Sequence, residues 1–240
     1  MWPDLAGVAR SPGHANPSAF KRSVVPIRLE KTSVSGDNPA FPHKPATTRV
    51  PIHDLLAARW SPRAFDPTRG VTREQITALI EATRWAPSCF GDEPWRFLVW
   101  DRATDPAGWQ QAFDCLSPGN QGWVKNVPLL LAAIASPAFD HNGKPNRWAQ
   151  YDTGAASENL VLQAVALGLA AHQMGGFDAD KLRAGFGIPE GCIPMAMIAV
   201  GYQAAPDSLP EEQRTKELAP RARKPHETRF FAGKWGVPVG

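Results

Sequence analysis

From Pro51 onward, apolar positions recur in two different periods. Ile52, Leu55, Leu56 and Arg59 follow Pro51 with helical spacing, and proline suits a first helical position, so a short helix is predicted to open there. Ile76, Leu79, Ile80 and Thr83 share one face of a second helix. Thr72 and Gln75 supply its capping box and Pro87 its stop. Trp95–Trp100 (WRFLVW) is rich in aromatic and β-branched residues and predicts a strand. Pro128–Ala135 (PLLLAAIA) and Ile193–Val200 (IPMAMIAV) are apolar at every alternating position, which predicts interior strands covered on both faces. Between them, Asp152–Ala171 predicts one long helix. Its Ala155, Ala156, Leu160, Val161, Ala164, Val165, Leu167 and Leu169 spread almost all round, as expected of a helix in the middle of something large. Asp178 is placed to cap a further short helix that Gly187 and Pro189 end.

Three interior strands with helices on both sides imply a layered α/β or α+β domain. There is no internal repeat, and no Gly-x-Gly-x-x-Gly follows a strand, so a dinucleotide-binding Rossmann unit is not indicated. Residues 1–45 differ from the rest. Pro3, Pro12, Pro17, Pro26, Pro39, Pro42 and Pro45 recur without either period, so this stretch is expected to be a flexible extension, or sequence upstream of the natural start, with the folded domain over 46–240.

A hydrophobic share of 43% and a charged share of 20% are those of an ordinary globular protein. No apolar run approaches the roughly 20 residues that cross a bilayer, and Met1–Asp4 lacks the layout of a secretory signal. Cys89, Cys115 and Cys192 are too scattered for a disulfide frame or a zinc site, so no metal is expected and a reducing cytoplasm fits best. The net charge of +3 is mild, and Glu211, Glu212, Glu217 and Glu227 interrupt the basic C-terminal stretch, which argues against a nucleic-acid surface.

Candidate chemistry gathers in three places. Arg59-Trp60-Ser61-Pro62-Arg63 puts two cations and a hydroxyl around one turn. Gly175-Gly176 follows the predicted long helix, and Arg221 and Arg223 form a second cation pair. Guanidinium groups match phosphate geometry bidentately, and glycine lets backbone approach a planar ring. Together these are the requirements of a flavin mononucleotide (FMN) site. Singly, each arginine reads better as a solvated surface charge, and the glycine pair better as a helix cap.

The order of motifs over about residues 47–235 resembles the nitroreductase family of flavin-dependent NAD(P)H-using reductases. The anchors are Arg59-x-Ser61-x-Arg63-x-Phe65, Ala86-Pro87-Ser88 ahead of Glu93-Pro94-Trp95-Arg96-Phe97, Gly119-Asn120-x-x-Trp123, Met174-Gly175-Gly176-Phe177-Asp178 and Arg221-x-Arg223-Lys224-Pro225. The resemblance implies an α+β, three-layer α-β-α fold with a mixed, mainly antiparallel sheet, in an intertwined homodimer. It implies FMN contacts from Arg59, Trp60, Ser61, Arg63, Pro87, Ser88, Gly91, Gly175, Gly176, Arg221 and Arg223. The implied activity takes a hydride from NAD(P)H through flavin N5 to a nitroaromatic, quinone or enone in a ping-pong scheme, with no side chain required as catalytic acid or base. In the dimer, loop 87–94 of one copy would complete a pocket built mainly by the other.

The chain departs from the family pattern in that loop, where Gly91 and Glu93 stand in place of the usual asparagine and glutamine. Two alternatives therefore stay open: other flavin chemistry on the same fold, such as dehydrogenation or dehalogenation, and a flavin-holding module without turnover. His172, Cys89 and the tryptophans at 85, 95, 100 and 123 are read as structural: a packed helix-end histidine, an isolated thiol, and core and interface anchors. Glu158, on the apolar helix, is expected to be paired or to face a subunit boundary.

Overall fold

The computed structural model describes residues 42–239. The extension expected over 1–45 therefore lies mostly outside the described residues; only its last four residues are placed. The elements run α1 (Asp54–Ala58), α2 (Arg73–Arg84), β1 (Trp95–Asp101), α3 (Pro106–Phe113), α4 (Pro118–Val124), β2 (Leu129–Ala135), α5 (Ala149–Ala166), β3 (Ala170–Met174), α6 (Ala179–Phe186), β4 (Ile193–Gly201) and α7 (Glu211–Leu218).

The strands form a four-stranded sheet in the order β1-β2-β4-β3. All three pairings are antiparallel, so among the described residues the sheet is wholly antiparallel, with no parallel member. Strand β2 shows why the layers stack. Leu130, Ala132 and Ile134 point into one apolar cluster with Trp109 of α3, Trp123 of α4 and Leu182 of α6. Leu129, Leu131 and Ala133 point the other way, into a cluster with Leu79 of α2 and Leu160, Val161 and Ala164 of α5. Helices cover both faces, and the three-layer arrangement follows from apolar residues at every position of β2. Burying each leucine of this strand contributes about 1.5–3 kcal/mol.

The capping box is present as expected. Gln75 N–H donates to the Thr72 hydroxyl at 3.2 Å, and Thr72 N–H donates to Gln75 Oε1 at 3.0 Å. Asp178 caps α6 through Lys181 N–H, and Gly187 ends it in the left-handed region.

Three expectations are corrected. The first helix opens at Asp54 rather than Pro51, because the His53 side chain takes the cap by accepting from Leu55 N–H. The helix expected over Asp152–Ala171 begins earlier and stops at Ala166. Gly168, at φ 70°, turns the chain back, and residues 170–174 pair with β4 instead of continuing the helix. Finally, α5 is not buried all round. Its buried positions, Ala149, Asp152, Thr153, Ala156, Ser157, Leu160, Val161 and Ala164, recur every three or four residues and form a single stripe. Tyr151 lies outside that stripe and is 79% exposed.

Candidate functional site

The site is built where the start and the end of the described chain meet. Helix α1 ends with Arg59 as its C-cap in extended conformation, and Trp60–Ala64 then run without regular structure to an isolated bridge at Phe65. Phe65 is fully buried, stacks on Trp123 with ring centroids 6.0 Å apart, and bridges to Gln203 just after β4. The Ala204 N–H donates to the Ala64 carbonyl at 2.9 Å and ties this segment to the sheet.

From the far end of the sequence, α7 brings Glu217 beneath the same segment. Glu217 is fully buried, and its two carboxylate oxygens accept the N–H groups of Arg63 at 2.9 Å and Ala64 at 3.2 Å. Burial pushes its carboxyl above the usual range, and the two backbone donors oppose that shift. Beyond α7, Arg221 donates to the carbonyls of Ala57 and Lys44.

The result is a cavity of about 240 Å³ whose lining includes Lys44, Arg59, Arg63, Lys216, Arg221 and Arg223, together with Trp60 and Ser61. No carboxylate lines it. Arg59 has a distant partner in Glu158 at 3.8 Å, as expected of that glutamate, and Lys216 pairs with Glu212. Arg63, Arg221 and Arg223 have no salt-bridge partner among the described residues. Burial, then Arg59 and Arg223, depress the Arg221 pKa. Such a cluster disfavours its own charges and is complemented by a dianion.

Shared lining residues extend the cavity in two directions. Through Arg63 and Lys216 it meets a cavity of about 210 Å³ that also touches Gly119, Asn120 and Trp123. Through Arg59, Arg221 and Arg223 it meets one of about 610 Å³ whose wall includes residues 46–50. The glycine turn supports the first of these. Gly176 accepts from Asn120 Nδ2 at 2.9 Å and from Ser117 N–H at 3.0 Å. A Cβ at Gly176 would lie 2.7 Å from Ser117 Oγ and 2.8 Å from Asn120 Nδ2, whereas one at Gly175 meets nothing within 4 Å. The glycine pair follows strand β3, not the long helix that the sequence suggested.

His172 also belongs to β3 rather than to a helix end. Its Nδ1 lies 2.8 Å from the Pro62 carbonyl, and its ring packs on Trp123 at 4.7 Å. Burial, with Arg63 and Arg59 nearby, lowers its pKa to about 4, so the ring is neutral and donates to Pro62. Trp95, Trp100 and Trp123 are buried as core anchors, but Trp85 is 73% exposed.

Of the residues singled out in the sequence, Arg59, Trp60, Ser61, Arg63, Arg221 and Arg223 share one cavity. Pro87, Ser88 and Gly91 belong to a loop held elsewhere. Gly91 lines a separate cavity of about 820 Å³ with Phe90, Asp92, Trp95 and His141, and Asp152 of α5 fixes the loop by accepting from Cys89 N–H at 3.0 Å. Phe90, Gly91 and Glu93 all sit at positive φ. Three site residues are not found by the sequence reading: Lys44, in a stretch whose prolines suggest no packing, and Lys216 and Glu217, which read as solvated charges in the highly polar Glu211–Leu218.

The model of the nitroreductase family matches residues 56–202, so Arg221 and Arg223 lie outside the match. Over 124 residues the chain is 39% identical to a 15.4 kDa protein of Mycolicibacterium smegmatis, covering 52% of this chain and 82% of that one. It is 27% identical over 161 residues to a protein of Methanothermobacter thermautotrophicus provisionally named NADH dehydrogenase/NAD(P)H nitroreductase, covering 65% and 80% of the two. A solved oxidoreductase containing FMN superposes with a TM-score of 0.74 at 32% identity, covering 80% of this chain and 96% of that one.

Proposed function

Because the chain belongs to the nitroreductase family, we propose that it is an FMN-dependent oxidoreductase that takes electrons from NAD(P)H and gives them to an electron-poor acceptor such as a nitroaromatic, quinone or enone. The observation that carries this reading is the cavity in which Arg59, Arg63, Arg221 and Arg223 converge with no carboxylate in its wall. The donor set fits the dianionic end of FMN: guanidinium groups and the Ser61 hydroxyl are strong partners for phosphate oxygens. When bound, FMN supplies the hydride chemistry.

The chain's own residues position and polarise. Arg59, Arg221, Arg223 and Ser61 would hold the phosphate. Arg63, on the side toward Asn120 and the glycine turn, would place a fixed positive charge against the pyrimidine end of the ring. Gly175 and Gly176 would present backbone there. His172, neutral and committed to Pro62, holds the turn that carries Arg63 and has no proton to give at neutral pH. No side chain is assigned as a catalytic acid or base.

Two copies complete the site in this reading. Loop 87–94 stands away from the arginine cavity of its own chain, and the exposed Phe90, Trp85 and Tyr151 offer apolar surface to a second copy. The proposed compartment is the cytoplasm. An absorbance spectrum of the purified protein, with mass identification of the released cofactor, tests the flavin assignment. Oxidation of NADH or NADPH with a quinone or nitro acceptor tests turnover, and a yellow protein that oxidises neither would sink the enzymatic half.

A further inference from the structure

The segment ahead of α1 is not an appendage to the site but part of its wall. Pro42 accepts from Gln203 Nε2 at 3.2 Å, Ala46 N–H donates to Ala57 at 2.8 Å, and Arg49 pairs with Glu227 at 2.8 Å. In the middle of this run, Lys44 is held at three points. Its carbonyl accepts from Arg221, its Nζ donates to the Glu217 carbonyl at 2.6 Å, and Nζ stands 4.6 Å from the centre of the Trp60 ring. An ammonium has three donors, and one is used here. The other two belong to a group that lines the same cavity as Arg59, Arg63, Arg221 and Arg223.

We propose that Lys44 is a direct ligand of the phosphate held in this cavity, carried there by a strap formed by residues 42–49. The inference rests on the phosphate assignment above and adds to it a cation from outside the family match, which begins at residue 56. The surroundings of Lys44 support it. Burial, followed by Arg221 and Arg63, lowers its pKa against the opposing pull of Glu217, so the ammonium is held at a cost that a bound dianion removes.

The test is a flavin titration of the full chain, freed of cofactor, with FMN and with riboflavin, which lacks the phosphate. Lys44→Met keeps the aliphatic stem over Trp60 and removes the charge. It is expected to weaken FMN at least about tenfold, the scale of one charge-assisted contact, and to leave riboflavin affinity unchanged. Lys44→Arg is expected to retain FMN. If the Met variant folds poorly, Lys44→Gln, which can still donate to the Glu217 carbonyl, takes its place with the same expectation. Equal losses for FMN and riboflavin would overturn the inference, since Lys44 would then act on the fold alone. It is also overturned if Lys44→Met binds FMN like the parent while Arg59→Ala and Arg223→Ala do not. Should those two arginine variants also bind FMN like the parent, the phosphate assignment itself fails, and this inference with it.

Discussion

The carboxylate of Glu217 grips the backbone of Arg63: one oxygen accepts the Arg63 N–H at 2.9 Å, while the other takes the N–H of Ala64. A residue near the end of the domain thus fixes the dihedrals of a segment near its start, and does so beneath the cation cluster.

Removing that grip leaves two backbone donors buried without partners. Glu217→Ala is expected to cost about 2–5 kcal/mol of folding stability, the range for orphaned groups of this kind. Urea denaturation measures it. A loss under about 0.5 kcal/mol, the scale of a neutral surface change, would show that the 63–64 segment is held by its other ties.

His172 predicts a pH dependence whose sign is fixed by its depressed pKa. The unfolded imidazole binds a proton near pH 6.5, the folded one only near 4. Stability from this group is therefore complete above about pH 6.5 and is lost as pH falls toward 4, amounting to about 2–3 kcal/mol over the window. Glu217, shifted upward, has the opposite slope, but it is present in both members of a comparison. The parent minus His172→Phe difference in unfolding free energy should therefore rise between pH 4 and 6.5. A flat difference would remove the buried neutral histidine from the account.

Arg59→Ala and Arg223→Ala should each weaken FMN binding by roughly 1.5–3 kcal/mol while leaving riboflavin alone. Fluorescence titration reads both. Wild-type FMN affinity in both variants would contradict the phosphate assignment.

The two adjacent glycines should respond unequally. Gly176→Ala drives a methyl into Ser117 and Asn120 and is expected to cost about 1–3 kcal/mol, with flavin affinity reduced as well. Gly175→Ala meets open space and is expected to be close to neutral in thermal unfolding. Equal effects would mean that the turn is not tied to α4 as described.

Much of this architecture was legible in the chain because single-residue signals carried it. An all-apolar run such as Leu129–Ala135 has little choice but to be interior, and Thr72 with Gln75 announces a helix start. The site was half legible for the same reason: guanidinium-rich turns state their chemistry openly. What stayed hidden was tertiary. Nothing local in residues 166–174 tells helix from strand; the unpaired edge of β4 and the turn at Gly168 decide it. Glu217 sits among residues as polar as itself, so its complete burial depends on a segment over 150 positions away. Lys44 shared its surroundings with prolines that suggested no packing at all. The separation of Gly91 from the arginines likewise depends on where α5 anchors the loop, which spacing does not encode.

The crowding of like charge around Arg221 has a practical corollary for anyone handling the protein. On the phosphate assignment proposed above, a preparation stripped of cofactor leaves these cations uncompensated, and a small oxyanion in solution stabilises them in proportion to its concentration. On that assignment, sulfate or phosphate buffers should raise the melting temperature of such samples and, by competing for the proposed phosphate site, make flavin appear to bind more weakly than it does.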